Sequence, residues 1–296
     1  MEQQKKAYVY ALTAVLFWST IASAFKISLG YLDVWSLLLY ASIASTIALL
    51  GYLLIAKKLI LLRALSGEDY LRSALLGLLN PFLYYIVLLN SYFILRDYVQ
   101  QAMTINWVWP MTLVLLSIPI LGQKIRLRSI LAIAISFCGA FVIATRGDIL
   151  GFNFSRPVGV LLALGSTIIW ALFWIYNVRD KRDEAVRLFL NFAFGSVYVF
   201  FVFLVMMLFG KVRAPDFNGI IGAVYIGLFE MGITFLVWLK ALKLARTTAN
   251  VANLIYLVPF LSLVLLYFAG VEEIYPSTLV GIVLIVGGII LQKFWE

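Results

Sequence analysis

The feature that most constrains this chain is a long passage that occurs twice. GLFEMGITFLVWLKALKLARTTANVANLIYLVPFLSLVLLYFAGVEEI, from Gly227 to Ile274, has a counterpart from Gly77 to Ile125. A shift of 150 positions sets Gly77 on Gly227 and Asn80 on Glu230; a shift of 149 sets Pro110 on Pro259, Gln123 on Glu272, Ile125 on Ile274 and Gly139 on Gly288. The lost position falls in the loop between two apolar runs, where length is most easily varied. Each copy reads as an apolar run, a short charged break, a polar helix start and a second apolar run with a proline near its middle. Two copies of one unit, residues 1–149 and 150–296, are therefore expected, with the functional centre where they face one another.

Of the 296 residues, 64% are hydrophobic and 12% charged, against about 25% charged in a soluble domain. A soluble chain of this size could not hide so much apolar side chain. A bilayer solvates it, provided each span satisfies its own backbone as a helix of about 20 residues. Ten such runs are expected, at 7–29, 34–56, 73–95, 99–121, 130–145, 157–178, 188–209, 219–239, 247–269 and 276–293. Continuous runs such as Ser36 to Ala56 do not alternate as the strands of an outer-membrane barrel do, so the fold class is all-α. Ala22-Ser23-Ala24 resembles a signal-peptidase site, but the first run is longer than a signal peptide's apolar region, and it is read as a retained helix.

The charges orient the chain. With the N-terminus inside, 17 of the 23 Lys and Arg residues fall on the side of the chain ends and six on the other. By the positive-inside rule both termini are expected in the cytoplasm, in the inner (cytoplasmic) membrane. The net charge of +9 then reports orientation rather than nucleic-acid binding. Five spans per copy is an odd number, so the second copy enters upside down, as an inverted repeat. The single cysteine, Cys138, lies in an apolar run and reads as packing; histidine is absent, which removes the commonest proton shuttle and metal ligand. No cofactor, metal site or catalytic residue is expected. The expected partners are membrane lipids and a small-molecule substrate, and nothing in the sequence reports oligomeric state.

The polar residues inside the runs carry the functional reading. Glu230 is the acidic residue deep within a run, eight positions before Trp238; a carboxylate there faces the bundle interior, binds a cationic group, carries a proton or is held by hydrogen bonds. Lys26 and Lys240, near run ends, are expected to snorkel. Asn80 precedes Pro81 and shares a face with Tyr84, where proline bends the helix and frees a carbonyl at membrane depth. The fourth run carries Gln100, Gln101, Thr104, Asn106, Trp107, Trp109 and Pro110, and the ninth Asn250, Asn253, Tyr256 and Pro259. Such helices could line a cavity for an amphipathic solute, or the same residues could serve interhelical hydrogen bonds and an aromatic belt. Asn106 and Trp107 read as cavity, and Tyr92, Tyr198 and Trp295 as belt. Trp18 in the first run, and Trp170 with Trp174 in the sixth, suit either aromatic walls for a flat or cationic ligand or a packed core.

These segments resemble the EamA-type branch of the drug/metabolite transporter superfamily over both halves. "YLVPFLSLVLLYFAGVEEI" and "LVGIVLIVGGIIL" look like that family's proline-containing ninth helix, acidic loop and glycine-rich tenth helix. "LTAVLFWST" at 12–20, "NWVWP" at 106–110 and "GQK" at 122–124 look closer to the bacterial aromatic amino acid exporters. The resemblance implies ten helices, an inverted repeat, a central cavity and export of small metabolites, with Trp18, Asn106, Trp107 and Trp109 on cavity-side segments. Glu230 departs from the small or hydroxyl residue of those exporters, which leaves room for a more cationic substrate.

Other classes fit less well. An intramembrane enzyme would lack the HExxH site and any His-dependent acyl transfer, and the deep carboxylate has no acidic partner for a dyad. A gated channel would use a similar lining; a scaffold would leave the polar midplane unexplained.

Overall fold

The computed structural model describes residues 2–95, 99–148, 151, 156–268 and 274–295, with the side chains of 99–101 and 295 left aside. Gln100, Gln101, Glu272 and Trp295, singled out above, lie outside the described residues or side chains. Among the described residues, ten helices are long and apolar enough to cross a membrane: α1 (Glu2–Tyr31), α2 (Val34–Ile55), α3 (Gly67–Ile94), α4 (Ala102–Leu121), α5 (Leu127–Ala144), α6 (Pro157–Arg179), α7 (Glu184–Leu208), α8 (Phe217–Leu244), α9 (Thr248–Phe268) and α10 (Pro276–Phe294). The fold is all-α, as expected.

Polar caps set where the helices begin. Asp33 accepts the amides of Trp35 and Ser36 at the start of α2, Asp183 those of Ala185 and Val186 at α7, and Asp216 those of Asn218 and Gly219 at α8. Ser66 with Asp69 and Thr247 with Asn250 form capping boxes before α3 and α9. Each side-chain oxygen satisfies amides that have no partner within the helix. Asn250 is thereby a cap rather than a cavity residue. Gly122 closes α4 with φ +66°, a left-handed turn that a residue without Cβ adopts freely. Gln123, next to it, accepts from the amide and hydroxyl of Thr248 at 3.0 and 3.1 Å, so the loop after α4 caps α9.

Helix pairings come in matched sets. α5 packs on α10 and α2 on α7; α1 on α8 is mirrored by α6 on α3, α4 on α6 by α9 on α1, and α3 on α7 by α8 on α2. Small residues make the close approaches, as they do where lipid supplies no hydrophobic drive between helices. A Cβ at Gly77 would meet the carbonyl of Asn191 on α7, and one at Gly227, its repeat counterpart, would meet the carbonyl of Ala41 on α2. Gly139 on α5 similarly faces Gly281 on α10.

The surface is apolar, with residues such as Leu131, Phe201, Leu208 and Val283 exposed. Cys138 is exposed on α5, a correction to its expected packing role: α5 turns that face outward because its small residues Ala132, Ser136, Gly139 and Ala140 face inward. One core joins residues of α1, α2, α3, α6, α7 and α8 with parts of α4 and α9, and a second lies between α4, α5, α9 and α10.

Candidate functional site

Two of the crossing helices are broken at corresponding depth. In α3 the stretch Leu78–Leu83 leaves α-helical geometry, with Asn80 extended at φ −150°, ψ 127° ahead of Pro81; the residue before a proline is pushed out of the α region by the ring. In α8 the break is Gly227–Gly232, and Glu230 sits inside it. Non-helical backbone at membrane depth is tolerated where neighbouring protein satisfies it. The Trp18 indole N–H donates to the Glu230 carbonyl at 3.1 Å, and Thr234 Oγ1 donates to the Phe229 carbonyl.

Glu230 is met from α3 by Tyr85, whose hydroxyl donates to Oε1 at 3.0 Å. No cationic side chain pairs with Glu230 among the described residues. One residue back, Tyr84 donates to Asn106 Oδ1 at 3.3 Å, and Asn106 Nδ2 donates to Ser166 Oγ at 3.0 Å, which ties α3, α4 and α6 together. The Tyr84 ring packs on Tyr85 and Trp170, with centroids 4.9 and 4.3 Å apart.

Behind these groups four indoles interlock. Trp18 lies 6.1 Å from Trp109, 6.3 Å from Trp170 and 5.6 Å from Trp238, and Trp109 lies 5.8 Å from Trp170 and 6.0 Å from Trp238. These are the spacings of edge-to-face and tilted ring pairs. All four are buried, as is Trp174, which packs on Trp170 and Phe235. Trp107 is half-buried at the turn between Asn106 and Trp109.

The remaining expected residues lie elsewhere. Asn80 is wholly buried, with no hydrogen bond on either amide atom, and it does not pair with Glu230; Tyr85 takes that place. Tyr256 sits in the second core against Phe137, 6.1 Å away. Asn253, one turn earlier, is buried with both amide atoms unpartnered. Tyr85, Ser166 and Trp238 complete the centre and are not among the expected site residues. Trp238 falls two turns from Glu230, a spacing that could have marked it.

On the side away from the chain ends, a cleft of about 30 Å³ is lined by Phe25, Leu29, Leu37, Tyr85, Leu89 and Met231, and Tyr85 links it to Glu230. It has room for about one water. On the side of the chain ends, ion pairs tie the start of α7 to its neighbours: Asp183 to Lys58 at 2.6 Å, Glu184 to Lys243 at 2.5 Å, and Arg182, held by Asp180 at 2.6 Å, to Asp69 at 3.7 Å. Burial pushes the Asp183 carboxyl up, but the Lys58 ammonium and the amides of Val186 and Ala185 outweigh it and hold it below the ordinary carboxylate range. Asp180 is lowered in the same way by Arg182 against its burial, and Lys58 is raised by its bond to Asp183. Lys240 lies over the rings of Tyr10 and Tyr52, 5.8 and 5.9 Å from their centroids.

A bundle of ten apolar helices, two of them broken beside a carboxylate that has no cation partner among the described residues, is the architecture of a membrane transporter. The chain belongs to the EamA-like transporter family, which it matches over residues 5–145 and again over 157–292. It is 21% identical over 289 residues to an uncharacterized transporter of Archaeoglobus fulgidus, covering 97% of this chain and 96% of that one. It is 26% identical over 190 residues to the uncharacterized transporter YvbV of Bacillus subtilis, covering 63% of this chain and just over half, 56%, of that protein. It is also 25% identical over 190 residues to the aromatic amino acid exporter YddG of Ancylobacter novellus, covering 64% of each. A crystal structure of a protein 22% identical in sequence superposes with a TM-score of 0.83 over 98% of this chain and 97% of that one, which shows the fold. The family and these relatives are transporters rather than enzymes.

Proposed function

We propose that this transporter is a secondary exporter of small amphipathic metabolites bearing an amine, most simply amino acids with apolar side chains, working by alternating access. Two five-helix units, 1–149 and 150–296, move against one another about the broken centres of α3 and α8. Both termini lie in the cytoplasm of a cell whose inner membrane holds the protein, since the basic side chains crowd the face of the chain ends. The observation that carries this reading is Glu230, bonded to Tyr85, which itself lines an apolar cleft, with no protein cation beside the carboxylate among the described residues. An ammonium group supplies the missing partner, and the apolar residues around Tyr85 take the apolar remainder when alternating access widens the cleft. Trp18, Tyr84, Asn106, Trp107 and Glu230 form the nearer wall of the site; Asn80, Trp109, Trp170, Trp174, Asn253 and Tyr256 act from behind it.

A second reading has an observation of its own. The Trp18 indole N–H donates to the Glu230 backbone carbonyl and the Tyr85 hydroxyl to its carboxylate, and a carboxylate with aromatic neighbours also suits an organic cation without a carboxylate. Purified protein in liposomes, loaded with labelled phenylalanine or with labelled tetraethylammonium, separates the two by which probe exchanges in saturable counterflow. Glu230→Gln keeps the shape and removes the charge. Direct amine binding predicts loss of affinity at every pH, and proton coupling predicts that exchange persists while pH-driven accumulation disappears. A mutant with unchanged affinity and pH profile would reject both roles.

A further inference from the structure

Arg187 carries a second polar site. The apolar runs expected at 157–178 and 188–209 leave it in the loop between them, yet α7 begins at Glu184 and Arg187 lies one turn inside it with no exposed surface. Its Nη1 donates to the carbonyls of Asp180 and Arg182, at 3.0 Å for the latter, and so caps the end of α6. Its Nε and Nη2 have no partner. Those two groups form the side-on edge of the guanidinium, the edge that takes both oxygens of one carboxylate in parallel bonds.

Among the described residues no carboxylate bonds that edge, although Asp180, Glu184 and Asp183 lie within electrostatic reach of the guanidinium. Asp180 is held by Arg182, Asp183 by Lys58 and Glu184 by Lys243. A buried guanidinium with three of its five N–H donors unused is costly. Its neighbours are similarly unspent. Gly77 on α3 lies against Asn191 on α7, and Pro81 against Gly195, so the two helices run parallel. Ser73, one turn before Gly77, therefore stands level with Arg187, one turn before Asn191. The Ser73 hydroxyl and Asn191 Oδ1 are buried without partners, although Asn191 Nδ2 donates to Asn177 at 3.0 Å.

We propose that Arg187, with Ser73, is an anion subsite for the carboxylate of an amphipathic solute, roofed in this state by the ion pairs at the start of α7. It deepens the transport reading and rests on it. Ser73 and Tyr85 are twelve residues apart, about 18 Å along a helix at 1.5 Å per residue, so one small amino acid does not span Arg187 and Glu230. The carboxylate subsite and the amine subsite are two stations on one path. Arg187 would hold solute on the side of the chain ends, and Glu230 would hold it nearer the opposite side.

The test is binding of single-charge probes to the full chain in detergent by calorimetry: 3-phenylpropionate carries the carboxylate alone and phenethylamine the amine alone. Arg187→Lys keeps a charge that can still cap α6 but loses the side-on edge, and it should weaken 3-phenylpropionate at least tenfold while phenethylamine is unchanged. Ser73→Ala removes a hydroxyl without a partner and should weaken 3-phenylpropionate severalfold with melting unchanged, which keeps the test open if Arg187→Lys does not fold. Unchanged 3-phenylpropionate affinity in Ser73→Ala and in any folded Arg187→Lys would overturn the subsite, as would parallel loss of both probes. Failure of wild-type protein to bind 3-phenylpropionate also overturns it, and phenethylamine binding in that case leaves the amine reading standing.

Discussion

Tyr85 and Glu230 meet across the α3–α8 interface, the phenol that lines the apolar cleft donating to the carboxylate at 3.0 Å. If the pair works as a unit, each partner's removal changes what the other does. A buried acceptor that loses its donor costs about 1 to 3 kcal/mol. Tyr85→Phe should therefore lower transport at least about fivefold while the ring still lines the cleft. In a double-mutant cycle with Glu230→Gln, the coupling in substrate affinity should exceed about 0.5 kcal/mol. Additive effects would show that the two act separately.

Asn106 and Trp107 are adjacent in sequence but differently placed, and their substitutions should differ in kind. Asn106 joins Tyr84 to Ser166, so Asn106→Ala leaves a phenol and a hydroxyl short of a partner. It should lower both transport and the melting temperature. Trp107 is half-buried beside the interlocked indoles, and Trp107→Ala should lower transport with melting near that of wild type. Equal destabilisation by both would return Trp107 to packing.

What the sequence showed and what it hid follow from the range of the interactions. Ten helices were readable because a bilayer-spanning run is a local property, and Pro81 announced the break in α3. The partners of the polar residues were not readable. Asn80 aligns with Glu230 in the repeat, yet Tyr85 meets the carboxylate, because Asn80 turns extended ahead of Pro81 and is buried. Trp170 and Trp174 share a face, but whether that face met solute or core depended on Trp18, Trp109 and Phe235 from distant helices. Arg187 was hidden by its own charge, which argued for a loop; the cap at Asp183 starts the helix before it.

The matched glycines predict a stability asymmetry. Ala at 77 or 227 would press its Cβ into a backbone carbonyl of the facing helix, and backbone cannot turn aside as a side chain can. Overpacking of this kind costs about 1 to 3 kcal/mol. Gly165 on α6 has open space around it, and Gly165→Ala gains about 1 kcal/mol of helix propensity. Thermal melts in detergent should show Gly77→Ala and Gly227→Ala below wild type and Gly165→Ala at or above it.

The orientation has a direct readout. Glu68, in the first turn of the third crossing, and Ala214, before the eighth, are both exposed and lie on opposite sides if the chain crosses ten times. In a Cys138→Ala background, a membrane-impermeant maleimide applied to whole cells should label Ala214→Cys and spare Glu68→Cys until the membrane is opened. Labelling of both from outside would remove the inverted arrangement.

The ion pairs at the start of α7 predict how stability depends on pH. Asp183 and Asp180 are held below their ordinary value of 3.8. A group lowered on folding stabilises the protein above its unfolded value, and that contribution is lost as the pH falls through the folded value. Lys58 is raised above 10.5, so its contribution is complete below that pH and fades as the pH rises through the higher folded value. Stability from this cluster should therefore be flat from about pH 5 to 9 and fall at both ends. The Lys58–Asp183 side chains are partly exposed, at 32% and 20%, which limits the pair to about 1 kcal/mol or less. Asp183→Asn should lower the melting temperature on the plateau by a few degrees at most, and the gap from wild type should close toward pH 3. A gap that instead widens in acid would mean that the Asp183 carboxyl is protonated more readily folded than unfolded, the opposite of what its bond to Lys58 requires.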